Sequence, residues 1–186
     1  VNLGIASAKA GNRTLLVDCD QYNPSVCRSL NVEKGVTMRE YVEGGANAKE
    51  LLSRTSIRHL YCMHTGVDIK DKGIKESLGR LLRAARETFD VIILDTPPCS
   101  LLVDAAELSD LADCALMVIR QDYASRDQII EGVRLLTDNG LPLIGCAMNG
   151  VSGNLATAGY QYGNGYGYGY GYSYGYGYGR KYGYGY

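Results

Sequence analysis

The sequence predicts an α/β domain: a doubly wound, mainly parallel sheet with helices on both faces. Three observations point there. The candidate strands, such as residues 15–17 and 91–94, are apolar at every position, as strands covered on both sides are. They alternate with helical segments as far as Gly150, the order of a parallel sheet with crossover helices. Polar residues, Asp18, Asp95, Arg120 and Asn149, stand where those strands end. That is the crevice in which such sheets hold ligands.

Residues 1–10 read as a helix stopped by Gly11, which is free to take the left-handed turn that ends helices. Val1, Ile5 and Ala8 share one face, and Leu3 and Ala10 widen it. Residues 13–18 form a buried strand. Asn23-Pro24-Ser25 opens a short helix, with proline near its first turn. Thr37-Met38-Arg39-Glu40 is a capping box that opens a second. Residues 48–54 read as a third, and residues 57–63 as a strand. Residues 70–75 are a solvated, lysine-rich connector to an amphipathic helix. Its apolar stripe is Ile74, Leu78, Leu81, Leu82 and Ala85, with Arg80, Arg83, Arg86 and Glu87 outward.

Residues 91–95, Val-Ile-Ile-Leu-Asp, are the clearest strand and run into Thr96-Pro97-Pro98. Residues 104–111 form a short helix with Asp104 and Glu107 as a cap pair. Residues 114–119 are a strand. Ser125-Arg126-Asp127-Gln128 is a second capping box, opening a helix that reaches Asp138 and stops at Gly140. Residues 143–148 are the last strand, closed by Asn149-Gly150.

Composition narrows the function. With 186 residues, 46% of them apolar, the chain can bury one core. No apolar run reaches the ~18–20 residues of a membrane span. A net charge of −1 gives no electrostatic basis for bulk nucleic-acid binding. Cys19, Cys27, Cys62, Cys99, Cys114 and Cys146 include no C-x-x-C pair, which argues against structural zinc. Cys62, Cys114 and Cys146 lie in apolar runs and read as small hydrophobes. No signal-peptide pattern is visible, so the reading is a reducing, cytosolic compartment. His59 and His64 receive no catalytic role.

Tyrosine is distributed unevenly. Of 16 tyrosines, 12 fall in the last 27 residues, interleaved with ten glycines. They are Tyr160, Tyr162, Tyr166, Tyr168, Tyr170, Tyr172, Tyr174, Tyr176, Tyr178, Tyr182, Tyr184 and Tyr186. A stretch so rich in glycine and poor in aliphatics cannot pack a core. The expected organisation is a domain over residues 1–158 and a disordered Gly/Tyr-rich tail over residues 159–186. A glycine-rich coil of that length spans about 26–31 Å r.m.s..

An apolar run ending in aspartate at a strand terminus fixes a carboxylate in the ligand crevice. Residues 15–18 and 91–95 both do so, and Asp20 adds a second carboxylate two residues after Asp18. Mg²⁺ takes about six oxygens, mostly from water and phosphate with one or two carboxylates, so this set suits Mg²⁺ with a nucleoside triphosphate.

Leu15-Leu16-Val17-Asp18-Cys19-Asp20 with Pro24 resembles the second Walker motif of bacterial tyrosine kinases. Val91 to Pro98 resembles their Walker B, and Asp104-Ala105, Val118-Ile119-Arg120 and Gly145 to Asn149 fit later segments. The two motifs are shared with partitioning and division-site ATPases; the tyrosine-rich end selects the kinases. The resemblance implies a P-loop NTPase-like fold and ATP with Mg²⁺ as cofactors. It implies metal and catalytic roles for Asp18, Asp20 and Asp95, with Asp18 assisting deprotonation of the acceptor hydroxyl. Asn149 and Arg120 would serve the nucleotide, and the twelve tail tyrosines would be phosphoacceptors. It also implies a ring-like homo-oligomer at the inner face of the cell membrane. The partner there is a membrane-embedded activator that regulates polysaccharide chain length.

Two departures stand out. Tyr22 occupies a position that is basic in the family. The Walker A loop is absent and its expected place is just ahead of Val1, so the expectation is a chain lacking its phosphate loop and first strand, inactive and poorly soluble by itself.

Overall fold

The computed structural model describes residues 1–33, 35–66, 71–98 and 107–151. The first helix, α1 (Asn2–Lys9), ends as expected at Gly11, whose φ is +100°. The expected face of Val1, Ile5 and Ala8 packs inward, but Leu3 and Ala10 do not widen it. Gly4 and Ala8 are buried, whereas Leu3 is 55% exposed and Ala10 is exposed too. Helix and strand meet at Gly4, where a Cβ would lie 2.8 Å from Leu16 Cδ1. The missing side chain lets α1 come close to the strand there, beside the apolar contacts of Ala8 and Ile5.

Strand β1 (Thr14–Asp18) is buried at all five positions. It lies between β3 (Leu60–His64) and β4 (Val91–Asp95), parallel to both. The short β2 (Ser53–Arg54) runs antiparallel along β3, giving the order β2-β3-β1-β4. Successive residues of β1 feed opposite sides of the sheet. Leu16 packs with Ala8, Val26, Cys27 and Leu30 of α1 and α2 (Val26–Ser29). Leu15 and Val17 pack with Met38 of α3 (Met38–Val42) and with Ile74, Leu78 and Leu82 of α4 (Lys72–Ala85). Helices therefore cover both faces.

A second, two-stranded parallel sheet pairs β5 (Ala115–Arg120) with β6 (Leu143–Asn149). It is covered by α5 (Arg126–Asp138) through Met117, Leu136 and Leu141. Both capping boxes are present, at Thr37/Glu40 and Ser125/Gln128.

Among the described residues no ladder joins β4 to β5, and the strands form two sheets. Several expectations are corrected. Residues 48–54 are not a helix. Asn47 and Glu50 close one turn through Asn47 N–H to the Glu50 carboxylate (2.7 Å), and the chain then extends into β2. The strand expected over 57–63 starts only at Leu60, because Thr55 holds residues 57–60 in a turn that leaves His59 at φ +67°. The lysine-rich connector is shorter than expected. Asp71 accepts from the N–H groups of Gly73 and Ile74 and starts α4, so Lys72 and Lys75 are helical. Lys75 is half-buried against Glu107 (2.9 Å) and Asp110 (3.6 Å). Of the helix expected over 104–111, Glu107 is helical and residues 109–111 form a 3₁₀ turn, while 104–106 lie outside the described residues. Cys114 and Cys146 are exposed, while Cys19, Cys27 and Cys62 are buried.

Lys70, Cys99, Asp104, Ala105, the tail tyrosines and the 158/159 boundary lie outside the described residues. Among the described residues no helix is long and apolar enough to cross a membrane.

Candidate nucleotide and metal site

Asp18 and Asp95 are register partners on adjacent parallel strands, so their side chains leave the same face of the sheet. That face carries α1 and α2.

The three aspartates differ in what holds them. Asp18 is 1% exposed. Its Oδ1 accepts from Asp20 N–H (3.2 Å), and its Oδ2 from Ser25 and Val26 N–H (both 2.9 Å). Its backbone carbonyl accepts from Thr65 N–H and Thr65 Oγ1, both at 3.0 Å. Asp18 thus folds the following loop around itself and caps α2. Asp20 is half-buried, and its Oδ1 accepts from Tyr22 (3.0 Å) and Asn23 (2.9 Å) N–H, an Asx turn. Asp95 is half-buried, and its backbone carbonyl accepts from Cys19 N–H at 2.8 Å. Burial pushes the Asp95 carboxyl above its usual range, and the Asp18 and Asp20 charges reinforce this. Cys19 lies between these groups, and burial, with the Asp18 and Asp95 charges, pushes its thiol up so that it stays protonated.

Among the described residues no three His, Cys, Asp or Glu side chains form a closed metal cage. Mg²⁺ keeps water and substrate phosphate in most of its shell and takes one or two carboxylates. The half-buried carboxylates of Asp20 and Asp95, on rigid backbone, fit such an ion.

Arg120 and Asn149 are also register partners, at the ends of β5 and β6. Gln121 N–H donates to the Asn149 carbonyl (2.9 Å), and the Arg120 guanidinium lies over the Tyr123 ring at 5.3 Å. The predicted residues therefore form two groups, Asp18/Asp20/Asp95 on one sheet and Arg120/Asn149 on the other. Thr65, which the sequence reading did not single out, is fully buried and locks the end of β1, and His64, read as having no catalytic role, is the register partner of Asp18 on β3. The signal for both was position: they end the apolar run 60–63.

The fold and carboxylates define a P-loop NTPase-like α/β domain. Residues 1–140 match the family model described as an AAA domain. Tyrosine-protein kinase CpsD of Streptococcus agalactiae is 28% identical over 169 residues, 88% of this chain and 72% of that protein. The kinase domain of Escherichia coli tyrosine kinase ETK superimposes with a TM-score of 0.73 at 20% identity, over 90% of this chain and 64% of that one. The septum site-determining protein MinD of Pyrococcus horikoshii, solved with Mg-ADP, superimposes with a TM-score of 0.65 at 18% identity, over 84% of this chain and 68% of that one. The chain belongs to the AAA domain family and, within it, to the bacterial tyrosine kinases.

Proposed function

We propose that this chain is the catalytic part of an ATP-dependent protein-tyrosine autokinase whose substrate is its own tyrosine cluster, Tyr160 through Tyr186. One observation carries the reading. Paired strand-end aspartates of a nucleotide-type site occur in the same sequence as 12 tyrosines within 27 residues. Asp20 and Asp95 hold Mg²⁺ with the triphosphate, and Asp18 fixes the loop that carries Asp20. Arg120 and Asn149 contact the nucleotide. Bound Mg²⁺ supplies charge neutralisation for phosphoryl transfer. The acceptor tyrosine Oη forms a bond to the γ-phosphorus, the bond to the β–γ bridging oxygen breaks and ADP leaves. The phenolic proton passes to a carboxylate of the aspartate group.

Transfer occurs between subunits of a homo-oligomer. Each phosphate adds about −1.5 to −2 charges to a nearly neutral tail, and the resulting repulsion loosens the assembly. The setting is the cytoplasmic face of the membrane, with a membrane-embedded activator, in control of capsule or exopolysaccharide synthesis. The family resemblance supports this setting. Mass spectrometry of the full-length protein after incubation with ATP and Mg²⁺ tests it: phosphotyrosine within residues 160–186 is expected, and an unmodified tail overturns it. The MinD likeness favours a second reading, a partitioning-type ATPase. ATP hydrolysis without phosphotyrosine would select that reading.

A further inference from the structure

We propose that the cleft between the carboxyl end of α1 and the turn before β3 is a second binding site, for a phosphorylated tyrosine side chain. The inference rests on the kinase reading only for the source of that group, the modified tail of the same or a neighbouring chain.

The cleft is open, encloses ≈ 330 Å³ and is lined by Ala8, Lys9, Gly11, Ile57, Arg58 and His59. It lies at the amino ends of β1 and β3. The carboxylates Asp18 and Asp95 occupy the other end of the sheet, about 13 Å away along a five-residue strand. The two sites are therefore separate.

Its chemistry is one-sided. Lys9 and Arg58 are exposed and make no ion pair or hydrogen bond through their side chains among the described residues. No carboxylate lines the cleft. Asp90, at the same end of the sheet, accepts from Arg13 N–H at 2.7 Å. The carboxyl end of α1 opposes an anion with about half a charge, against the two full charges of Lys9 and Arg58. Ala8 is buried and Ile57 half-buried, so the cleft also has an apolar floor.

The walls are rigid. Thr55 Oγ1 donates to the carbonyls of Ile57 (3.1 Å) and Leu60 (2.9 Å) and accepts from Ile57 N–H (3.0 Å). Thr14 N–H donates to the His59 carbonyl at 2.8 Å. His59 is held at φ +67°, a conformation costly for a residue with a Cβ and one that concentrates at binding sites. Nothing lies within 4 Å of a Cβ built on Gly11, so the mouth stays open.

An anion with a flat apolar part matches these walls. Small-molecule sites run from about 300 to 1,000 Å³, so this cleft is large enough for one aryl phosphate. A phosphotyrosine carries about −1.5 to −2 charges, which Lys9 and Arg58 balance, and its ring covers Ala8 and Ile57. Holding the modified tail here removes product from the carboxylate end of the sheet.

The test is a titration of phosphatase-treated full-length protein with the peptide Gly-Tyr-Gly-Tyr-Gly, phosphorylated on its first tyrosine, and with the unphosphorylated peptide. Only the phosphopeptide is expected to bind. Lys9→Ala/Arg58→Ala, two exposed changes that leave the melting temperature unaltered, should weaken it at least tenfold. Inorganic phosphate should bind at least tenfold more weakly than the phosphopeptide. The proposal is overturned by absent phosphopeptide binding, by unchanged binding in the double variant, or by phosphate binding as tightly as the phosphopeptide. It is also overturned if the double variant instead loses binding to phosphatidylglycerol vesicles. The phosphate is supplied ready-made, so binding is independent of transfer. Phosphopeptide binding by a protein whose own tail stays unmodified would leave the cleft in place and defeat the kinase reading alone.

Discussion

Asp18 and Asp95 face each other across one strand pair, yet their environments give them different work. Asp18 is saturated by three backbone N–H groups that form the loop and start α2. Removing a buried charged acceptor strands its donors. Asp18→Ala should therefore cost about 2–3 kcal/mol in urea unfolding, and Asp18→Asn less, because it keeps an acceptor. Asp95→Asn, which removes a carboxylate proposed to hold Mg²⁺, should lower phosphotransfer by at least about 10²-fold, as loss of several kcal/mol of charge stabilisation implies. It should also stabilise the protein at neutral pH. The carboxyl is pushed up in the fold, so the native state binds its proton more tightly than the unfolded chain does. The wild type loses stability as pH rises through that range, and the neutral amide does not. Melting temperatures across pH 4–8 check this: the variant's advantage should shrink towards acid pH. The identity of the carboxylates was legible because each ends an apolar run. Their division of labour was not, since it depends on amides from residues 25 and 26, which reach Asp18 only once the turn has formed.

Among the elements, those with local codes were the legible ones. Thr37 and Ser125 each begin a capping box, and both helices start where the box says. Ser125→Ala should cost about 1 kcal/mol, measured by thermal unfolding. Residues 48–54 misled because Asn47 and Glu50 are a good local cap for a single turn, while β2 exists only by pairing with β3. Non-local hydrogen bonding leaves no periodicity to read. Likewise α1 buries Gly4, which hydrophobicity ignores. Gly4→Val must displace Leu16, which is fully buried, and should destabilise by about 1–3 kcal/mol. Denaturant midpoints at unchanged m-value would confirm a packing effect.

At the level of the whole molecule, alternation of apolar strands and capped helices was sufficient for the α/β class. In the proposed scheme, phosphoryl transfer takes place at the carboxylates and Lys9 and Arg58 capture the phosphorylated product. Its central claim is the chemistry of the first step. The most direct measurement is phosphotyrosine mapping of the full-length protein after incubation with ATP and Mg²⁺, beside its Asp95→Asn variant. Phosphate on several of residues 160–186 in the wild type, and its near absence in the variant, is the predicted result. A tail that stays unmodified while ATP is hydrolysed, or one modified equally in the variant, would contradict it.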